Sequence, residues 1–195
     1  MTTTYSKREN AFEKGEHRWS VEDHALIWTR PAGDSLTLPW KDVGAVRAAY
    51  TPTRARTWRH VFELTTRKGS KLLIDNSHFR GIADFEDRSP TFVPFVLACL
   101  DRVVAQAPDA RASVGSSPAG YFGQLLFMLA TMALVIFVLV VLPSPLGGLI
   151  LLKLLLIAVM LPAAAVWAIR ARPRRASLTL GGLLPGLPKI SGNRL

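Results

Sequence analysis

Two long apolar runs in the second half of the chain constrain its architecture more than any other feature. The runs cover residues 121–142 and 146–169, and Pro143-Ser144-Pro145 separates them. The first run is 22 residues long and carries no formal charge. A helix of that length measures roughly 33 Å, about the thickness of a hydrocarbon core. It predicts a transmembrane helix over residues 121–142, because a buried helix of a soluble protein would keep a polar stripe.

The second run predicts a second span over residues 147–169, joined to the first by a short extracytoplasmic turn at residues 143–146. Lys153 lies near the start of this span, so its long side chain can reach the interface and act as an anchor. The alternative is an ion or substrate site, since intramembrane charge is often functional. No acidic residue follows Asp109, so the chain offers Lys153 no local counter-charge.

Basic residues on the flanks predict the orientation of this hairpin. The turn carries no Lys or Arg, and a basic cluster follows the second span: Arg170, Arg172, Arg174 and Arg175. Loops rich in Lys and Arg stay in the cytoplasm. We therefore expect both termini to be cytoplasmic and residues 170–195 to form a basic tail, either loosely ordered or docked on a partner. The polar start of the chain predicts no signal peptide.

The formal net charge of +10 is unevenly distributed. Residues 1–115 carry 17 of the basic residues and all 14 acidic ones, while residues 116–195 carry seven basic residues and no acid. The charge therefore follows the membrane topology and favours contact with anionic lipid, where each Lys or Arg contributes about 1 kcal/mol. We expect no nucleic-acid partner. The single cysteine excludes an intramolecular disulfide.

Residues 1–109 read as a cytosolic, β-rich domain that ends in one helix. Short segments with strand character are bounded by turn signals, and they cover residues 19–21, 25–29, 35–39, 43–50, 58–66 and 71–75. Ser89 and Pro90 predict the start of the helix, and the apolar face of Phe92, Val96 and Val103 predicts that it packs on the sheet. Residues 110–120 are rich in small residues and predict a linker.

A meander of strands capped by a C-terminal helix resembles the pleckstrin-homology (PH) superfold, over roughly residues 12–107. The segment from Leu36 to Trp40, followed by Lys41-Asp42-Val43, is similar to a turn of small bacterial PH-like domains on membrane proteins. The segment from Phe79 to Ser89 is also similar to one in bacterial membrane proteins of no established activity. The resemblance implies an α+β membrane protein: a small antiparallel β barrel or sandwich, PH-like, capped by one helix and followed by the transmembrane hairpin. It also implies an inner-membrane location.

The candidate contact site is a basic stretch of the strand region. It holds seven cations and one acid, and the cations are Arg47, Arg54, Arg56, Arg59, Arg67, Lys68 and Lys71. Guanidinium groups bind phosphate in a bidentate way, so this stretch predicts contact with lipid phosphate or an acidic partner. The alternative is a solvated face. Trp58 could insert at headgroup depth or belong to the core.

No motif predicts catalysis, a metal or a cofactor. The four histidines lack the close pairing that zinc sites favour, and Cys99 lies on the apolar helix face. Asp84, Glu86 and Asp87 precede the helix and are typical of a capping region. We therefore expect a non-enzymatic inner-membrane protein that holds its domain at the cytoplasmic face for contact with lipid or protein. The alternative is a small accessory subunit of a transporter or membrane enzyme complex, which requires a partner membrane protein or a homo-oligomer.

Overall fold

The computed structural model describes residues 3–141 and 150–188, which form two units. The first unit, called the domain below, combines the chain up to Gly115 with the segment from Arg174 onward. The second unit covers residues 116–173 and contains the apolar helices. The predicted turn at residues 143–146 lies outside the described residues.

The domain begins with a four-stranded antiparallel sheet in chain order. Its strands are β1 (Thr3–Lys7), β2 (His17–Val21), β3 (Ala25–Thr29) and β4 (Ser35–Pro39). A single 3₁₀ turn, Trp40–Asp42, then leads into the second sheet. Strands β2 to β4 were predicted from their turn signals, whereas β1 was not, because its sequence is mostly polar. Tyr5 and Lys7 of β1 nevertheless face inward and are buried.

The second sheet has the order β11-β10-β5-β6-β7. Three antiparallel strands follow one another in the chain: β5 (Val43–Tyr50), β6 (His60–Thr66) and β7 (Lys71–Asp75). A separate hairpin comes next, with strands β8 (Ser77–Gly81) and β9 (Asp84–Asp87). The remaining two strands, β10 (Arg111–Val114) and β11 (Arg174–Ala176), extend the sheet beyond β5. Strand β10 runs parallel to β5, and β11 runs antiparallel to β10.

Helix α1 (Ser89–Gln106) covers the core of the domain and ends before Pro108, as predicted. Its inward face carries Phe92 and Phe95, whose rings lie 5.5 and 5.4 Å from the ring of Tyr5. Trp19 and Trp40 are fully buried in the same core. The result is an α+β fold in which strands come first and one helix packs on them, the arrangement expected from the sequence.

The boundaries predicted for the linker and the tail differ from the structure. Residues 111–114 are strand β10, so much of the expected linker belongs to the sheet. The described part of the tail packs on its own domain: it forms β11, the short helix α4 (Leu180–Leu183) and a 3₁₀ turn, Leu184–Gly186. Leu183 and Leu187 are buried there, and their burial stabilises the docked segment.

The second unit consists of α2 (Pro118–Val141) and α3 (Ile150–Ala171). The Tyr121 hydroxyl, near the start of α2, donates a hydrogen bond to the Ala168 carbonyl, near the end of α3 (3.1 Å). The two helices are therefore antiparallel neighbours. Within the described residues, one helix is long and apolar enough to cross a membrane, over Gly120–Phe137 with a mean hydropathy of 1.9. A shorter apolar stretch, Ile157–Val166, lies in α3.

Candidate lipid- and partner-contact site

The directions of the strands divide the second sheet into two ends. Val114, the last residue of β10, lies opposite Ala48 of β5 and opposite Arg174 of β11. The chain therefore leaves the domain after β10 and re-enters it at β11 at one edge position. We call this the exit end, which also contains the end of β5, the start of β6 and the end of β7. The opposite, distal end contains the turn from β6 to β7.

The distal end holds three of the predicted contact residues. Arg67 forms an ion pair with Asp109 (2.7 Å), and Lys71 forms one with Glu63 (3.2 Å). Lys68 is exposed and has no partner among the described residues. Six strand steps separate the two ends of β6, about 20 Å at 3.4 Å per residue. Along β7, four steps separate Lys71 from the exit end, about 14 Å. These cations therefore lie more than one Debye length from the exit end.

Arg47 occupies the middle of β5 and is committed to the fold. Its guanidinium binds the Glu63 carboxylate directly across the sheet and donates to the Gly115 carbonyl (2.9 Å). Burial raises the pKa of Glu63, but its bonds to Arg47 and Lys71 outweigh burial, so the pKa lies below the ordinary value. Arg47 is thus held by groups of its own domain, and its contact role stays a prediction.

A buried carboxylate organises the charges at the exit end. Asp75 accepts from Lys7 Nζ (2.6 Å) and Arg59 Nε (2.7 Å), while Arg56 lies 4.0 Å away. Burial by itself would raise the pKa of Asp75. Lys7 and Arg59 together have a larger, opposite effect, so the pKa lies below its ordinary value and the carboxyl stays ionised. Lys7 was not recognised from the sequence because an isolated lysine in a polar segment gives no burial signal.

Arg54 differs from these neighbours. It lies in the loop from β5 to β6, is exposed, and has no partner among the described residues. Five of the seven predicted cations have a carboxylate partner, so a continuous basic face does not exist. Arg54 at the exit end and Lys68 at the distal end remain free. Trp58, in the same loop as Arg54, is partly buried.

Two apolar side chains also project from the loops of the exit end. Phe12 lies in the loop after β1 and is 96% exposed, and Ile82 lies at the tip of the β8–β9 hairpin and is 97% exposed. Both loops start beside Asp75: Lys7 binds its carboxylate, and Ser77 follows it by two residues. The Phe79 N–H donates to the Arg8 carbonyl (2.9 Å), which joins the two loops. Neither residue belongs to a pattern that predicts contact from the sequence.

The predicted membrane-flanking anchors are described in part. Arg172, Arg174 and Arg175 are exposed and lack an acidic partner among the described residues. Arg174 and Arg175 lie on β11 at the edge of the sheet. The side chains of Lys153 and Arg170 lie outside the described part of the structure.

One group of side chains has a composition that could hold a metal ion: Glu9, Glu13 and His17. Its hydrogen bonds do not fit that role. Trp28 Nε1 can only donate, so His17 Nδ1 accepts (3.0 Å) and the ring proton lies on Nε2, facing Glu13 (2.7 Å). A histidine that binds a metal through Nε2 instead carries its proton on Nδ1 and donates it. The group therefore forms a hydrogen-bonded chain that fixes the loop after β1.

The carboxylates before α1 have a structural role, as predicted, although the details differ. Asp87 accepts from the Ser89 N–H (2.9 Å) and from Asn76 Nδ2 (3.0 Å), whereas the Ser89 hydroxyl donates to Asp87 and does not cap the helix. Glu86 pairs with Arg80 (2.9 Å). Cys99 is fully buried, and burial raises the pKa of its thiol, which is the opposite of what a nucleophile requires.

Comparisons with known proteins add little to this geometry. No family model and no curated protein matches the chain. A solved structure, "Structure of the Spt16D Pob3N heterodimer", matches at 8% identity and a TM-score of 0.38, over 60% of this chain. The match spans 57% of the length of that solved chain. At this TM-score the similarity carries no inference about fold or function.

Proposed function

We propose that this chain is a non-catalytic protein of the bacterial inner membrane, which holds a PH-like domain at the cytoplasmic face and contacts anionic lipid with the exit end. The observation that carries this proposal is the pairing of Val114 with Arg174 at the end of the sheet where Arg54 is free.

The PH-like character is supported by the order of the elements. A four-stranded meander is followed by a second meander and then by a covering helix. The motif that carried the resemblance has a clear structural use, because Trp40 is fully buried and its Nε1 donates to the Glu22 carbonyl (3.0 Å). Pro39 precedes the 3₁₀ turn with an extended backbone, which directs the chain from one sheet into the next.

Two membrane spans are supported by the return of the chain to the same sheet. If α2 crosses the bilayer, the chain must cross back before Arg174 can pair with Val114. Helix α3 has 22 residues, roughly 33 Å, which is long enough for that crossing. The exposed Arg172, Arg174 and Arg175 then favour cytoplasmic flanks by the positive-inside rule.

Lipid contact at the exit end is supported by its free groups. Arg54, Arg174 and Arg175 have no acidic partner among the described residues, and each contributes about 1 kcal/mol near an anionic surface. Phe12 and Ile82 add apolar side chains that interact well with the interface between headgroups and acyl chains. The cations of the distal end lie roughly 14–20 Å away, where salt screens most of their interaction with that surface.

A fluorescence experiment on the full chain in liposomes tests this proposal. A fluorophore on Ala55→Cys, beside Arg54, is expected to be quenched by a headgroup-borne quencher, more strongly in liposomes containing phosphatidylglycerol than in phosphatidylcholine alone. Arg54→Gln should weaken that quenching, and so should high salt. Lys68→Gln is the matched control and should leave it unchanged. Equal effects of the two substitutions, or quenching independent of lipid charge, would contradict lipid contact at the exit end.

A second candidate function, an accessory subunit of a membrane complex, is favoured by one observation. An apolar groove of about 640 Å³ lies between α2 and α3 and is lined in part by Gly123, Met160, Ala163 and Ala164. Small residues permit close approach of another helix. Co-purification of a second membrane protein, lost with Ala163→Leu and Ala164→Leu, would favour this function. Purification of the chain as a lone monomer would remove it.

A further inference from the structure

The outer edge of β1 has main-chain groups that the domain does not use. In the turn from β2 to β3, the Glu22 N–H donates to the Ala25 carbonyl (3.0 Å), so these two residues bond each other. In an antiparallel sheet, successive residues of a strand direct their main-chain groups alternately to one neighbouring strand and to the other. Ser20 therefore also bonds toward β3, whereas Trp19 and Val21 bond toward β1.

The partners of Trp19 and Val21 follow from the register. Tyr5 and Thr3 lie opposite them, and therefore direct their N–H and C=O groups toward β2. Thr4 and Ser6 must then direct theirs outward. Arg8 continues this alternation, because its N–H donates to His78 Nδ1 and its carbonyl accepts from Phe79, both on the outer side.

Three outward groups remain unused among the described residues. The Ser6 carbonyl accepts from the Arg88 guanidinium (2.7 Å), which leaves the Ser6 N–H and both main-chain groups of Thr4. Along the strand they form the series donor, acceptor, donor. An unprotected edge of this kind is a template for another strand.

A polar groove of about 580 Å³ runs along this edge, between β1 and the start of α1. Glu86, Asp87 and Arg88 line it but are engaged with one another or with neighbouring groups. Arg18 also lines the groove, is exposed, and has no acidic partner among the described residues. It lies opposite Ser6 in the ladder, whose hydroxyl donates to the Glu16 carboxylate (2.6 Å). Arg18 is thus the cation of the groove that a bound carboxylate can pair with, whereas the exposed Asp87 bonds only neutral groups.

We propose that this groove binds an extended, acidic peptide segment of a partner protein, which adds to β1 as an outer strand. The peptide backbone satisfies the three unused groups of Thr4 and Ser6, and a Glu or Asp side chain binds Arg18. Main-chain bonds supply affinity in this mode, and alternate side chains supply specificity. The inference is independent of the lipid contact proposed above, because it uses neither Arg54 nor the apolar loops.

Selection of binders from a random heptapeptide library, with the full chain in nanodiscs as the target, tests the inference. The selected peptides are then synthesised, and their affinity is measured by fluorescence anisotropy. Selected peptides should carry an acidic residue, and N-methylation of their central amide should abolish binding. Thr4→Pro removes one outward N–H, and an edge strand tolerates proline at such a position. It should weaken binding about five- to tenfold. Thr4→Val keeps the N–H and should bind as the natural chain does. Arg18→Glu should shift the selection toward basic peptides.

Three outcomes would overturn the inference. These are no enrichment over empty nanodiscs, equal binding by Thr4→Pro and Thr4→Val, and binding that survives N-methylation. The last comparison leaves the protein unchanged, so it remains decisive even if Thr4→Pro folds poorly.

Discussion

Docking of the C-terminal segment on its own domain gives the sharpest stability prediction, through Gly186→Ala. A Cβ at Gly186 would lie 2.5 Å from the Ala48 carbonyl oxygen and 2.7 Å from the Ala48 Cβ. Ordinary contact begins near 3.4 Å, so the segment must move outward by about 0.9 Å. The obstacle is a strand backbone inside a five-stranded sheet, which cannot move aside cheaply.

The cost follows from what this movement disturbs. It breaks the bond between His60 Nδ1 and the Gly186 carbonyl (2.9 Å), and it lifts Leu187 and, in part, Leu183 from their buried positions. Complete loss of both leucine contacts would cost at most about 3–6 kcal/mol. A partial lift should cost about 2 kcal/mol, which raises the open population of the segment roughly 30-fold.

Hydrogen exchange of the full chain in detergent measures this population. The reporting amides are Leu183, which donates to the Thr179 carbonyl, and Leu187, which donates to the Leu184 carbonyl. The matched control is Gly181→Ala in the same segment, where an added Cβ meets no atom within 4 Å. Faster exchange in Gly186→Ala alone supports docking. Equal exchange in both variants would refute the packing argument.

Three further predictions concern the charges and the thiol of the domain. Asp75→Ala leaves the buried Lys7 with only the more exposed Glu9 (3.3 Å) and removes the partner of Arg59, so it should lower the free energy of unfolding by about 3–5 kcal/mol, measured from tryptophan fluorescence in denaturant; a loss below about 1 kcal/mol would contradict the network. The pKa values of Asp75 and Glu63 in the folded state are lowered. The stability that these two carboxylates contribute is therefore present above the ordinary carboxyl range near pH 4 and is lost as the pH falls through the folded-state values. The unfolding temperature should drop between about pH 5 and pH 3, and the drop should be smaller in Asp75→Asn. Cys99 should resist maleimide in the folded chain and react only on unfolding; rapid labelling would show that the core opens.

Local signals in the sequence were sufficient for most of the domain. Turn residues and alternation predicted the strands from β2 to β7, and the Ser-Pro start with an apolar face predicted α1. The pairing of β10 with β11 could not be read in this way, because the two strands are short, contain small and basic residues, and are separated by the whole helical unit. Strand β1 was missed because Tyr5 is its only large apolar residue.

The candidate site could be predicted only in part. Charge density along the chain selected seven cations, but their partners Glu63, Asp75 and Asp109 come from other strands or from beyond α1, and only the folded register brings them together. Arg54 remains free because it lies at a loop tip that no acidic strand residue reaches. Phe12 and Ile82 carry no sequence signal, since single apolar residues in loops are common.

The distance of each end of the domain from the lipid headgroups tests the central claim most directly. Spin labels on Ile82→Cys and on Ser70→Cys, in separate samples of the full chain in liposomes, can be measured against a paramagnetic headgroup lipid. We predict that the label at Ile82 lies at the headgroup plane and that the label at Ser70 lies farther into the cytoplasm, because β7 and β6 separate the exit end from the distal end by roughly 14–20 Å. Equal distances, or a label at Ser70 closer to the lipid, would contradict an exit end that faces the membrane.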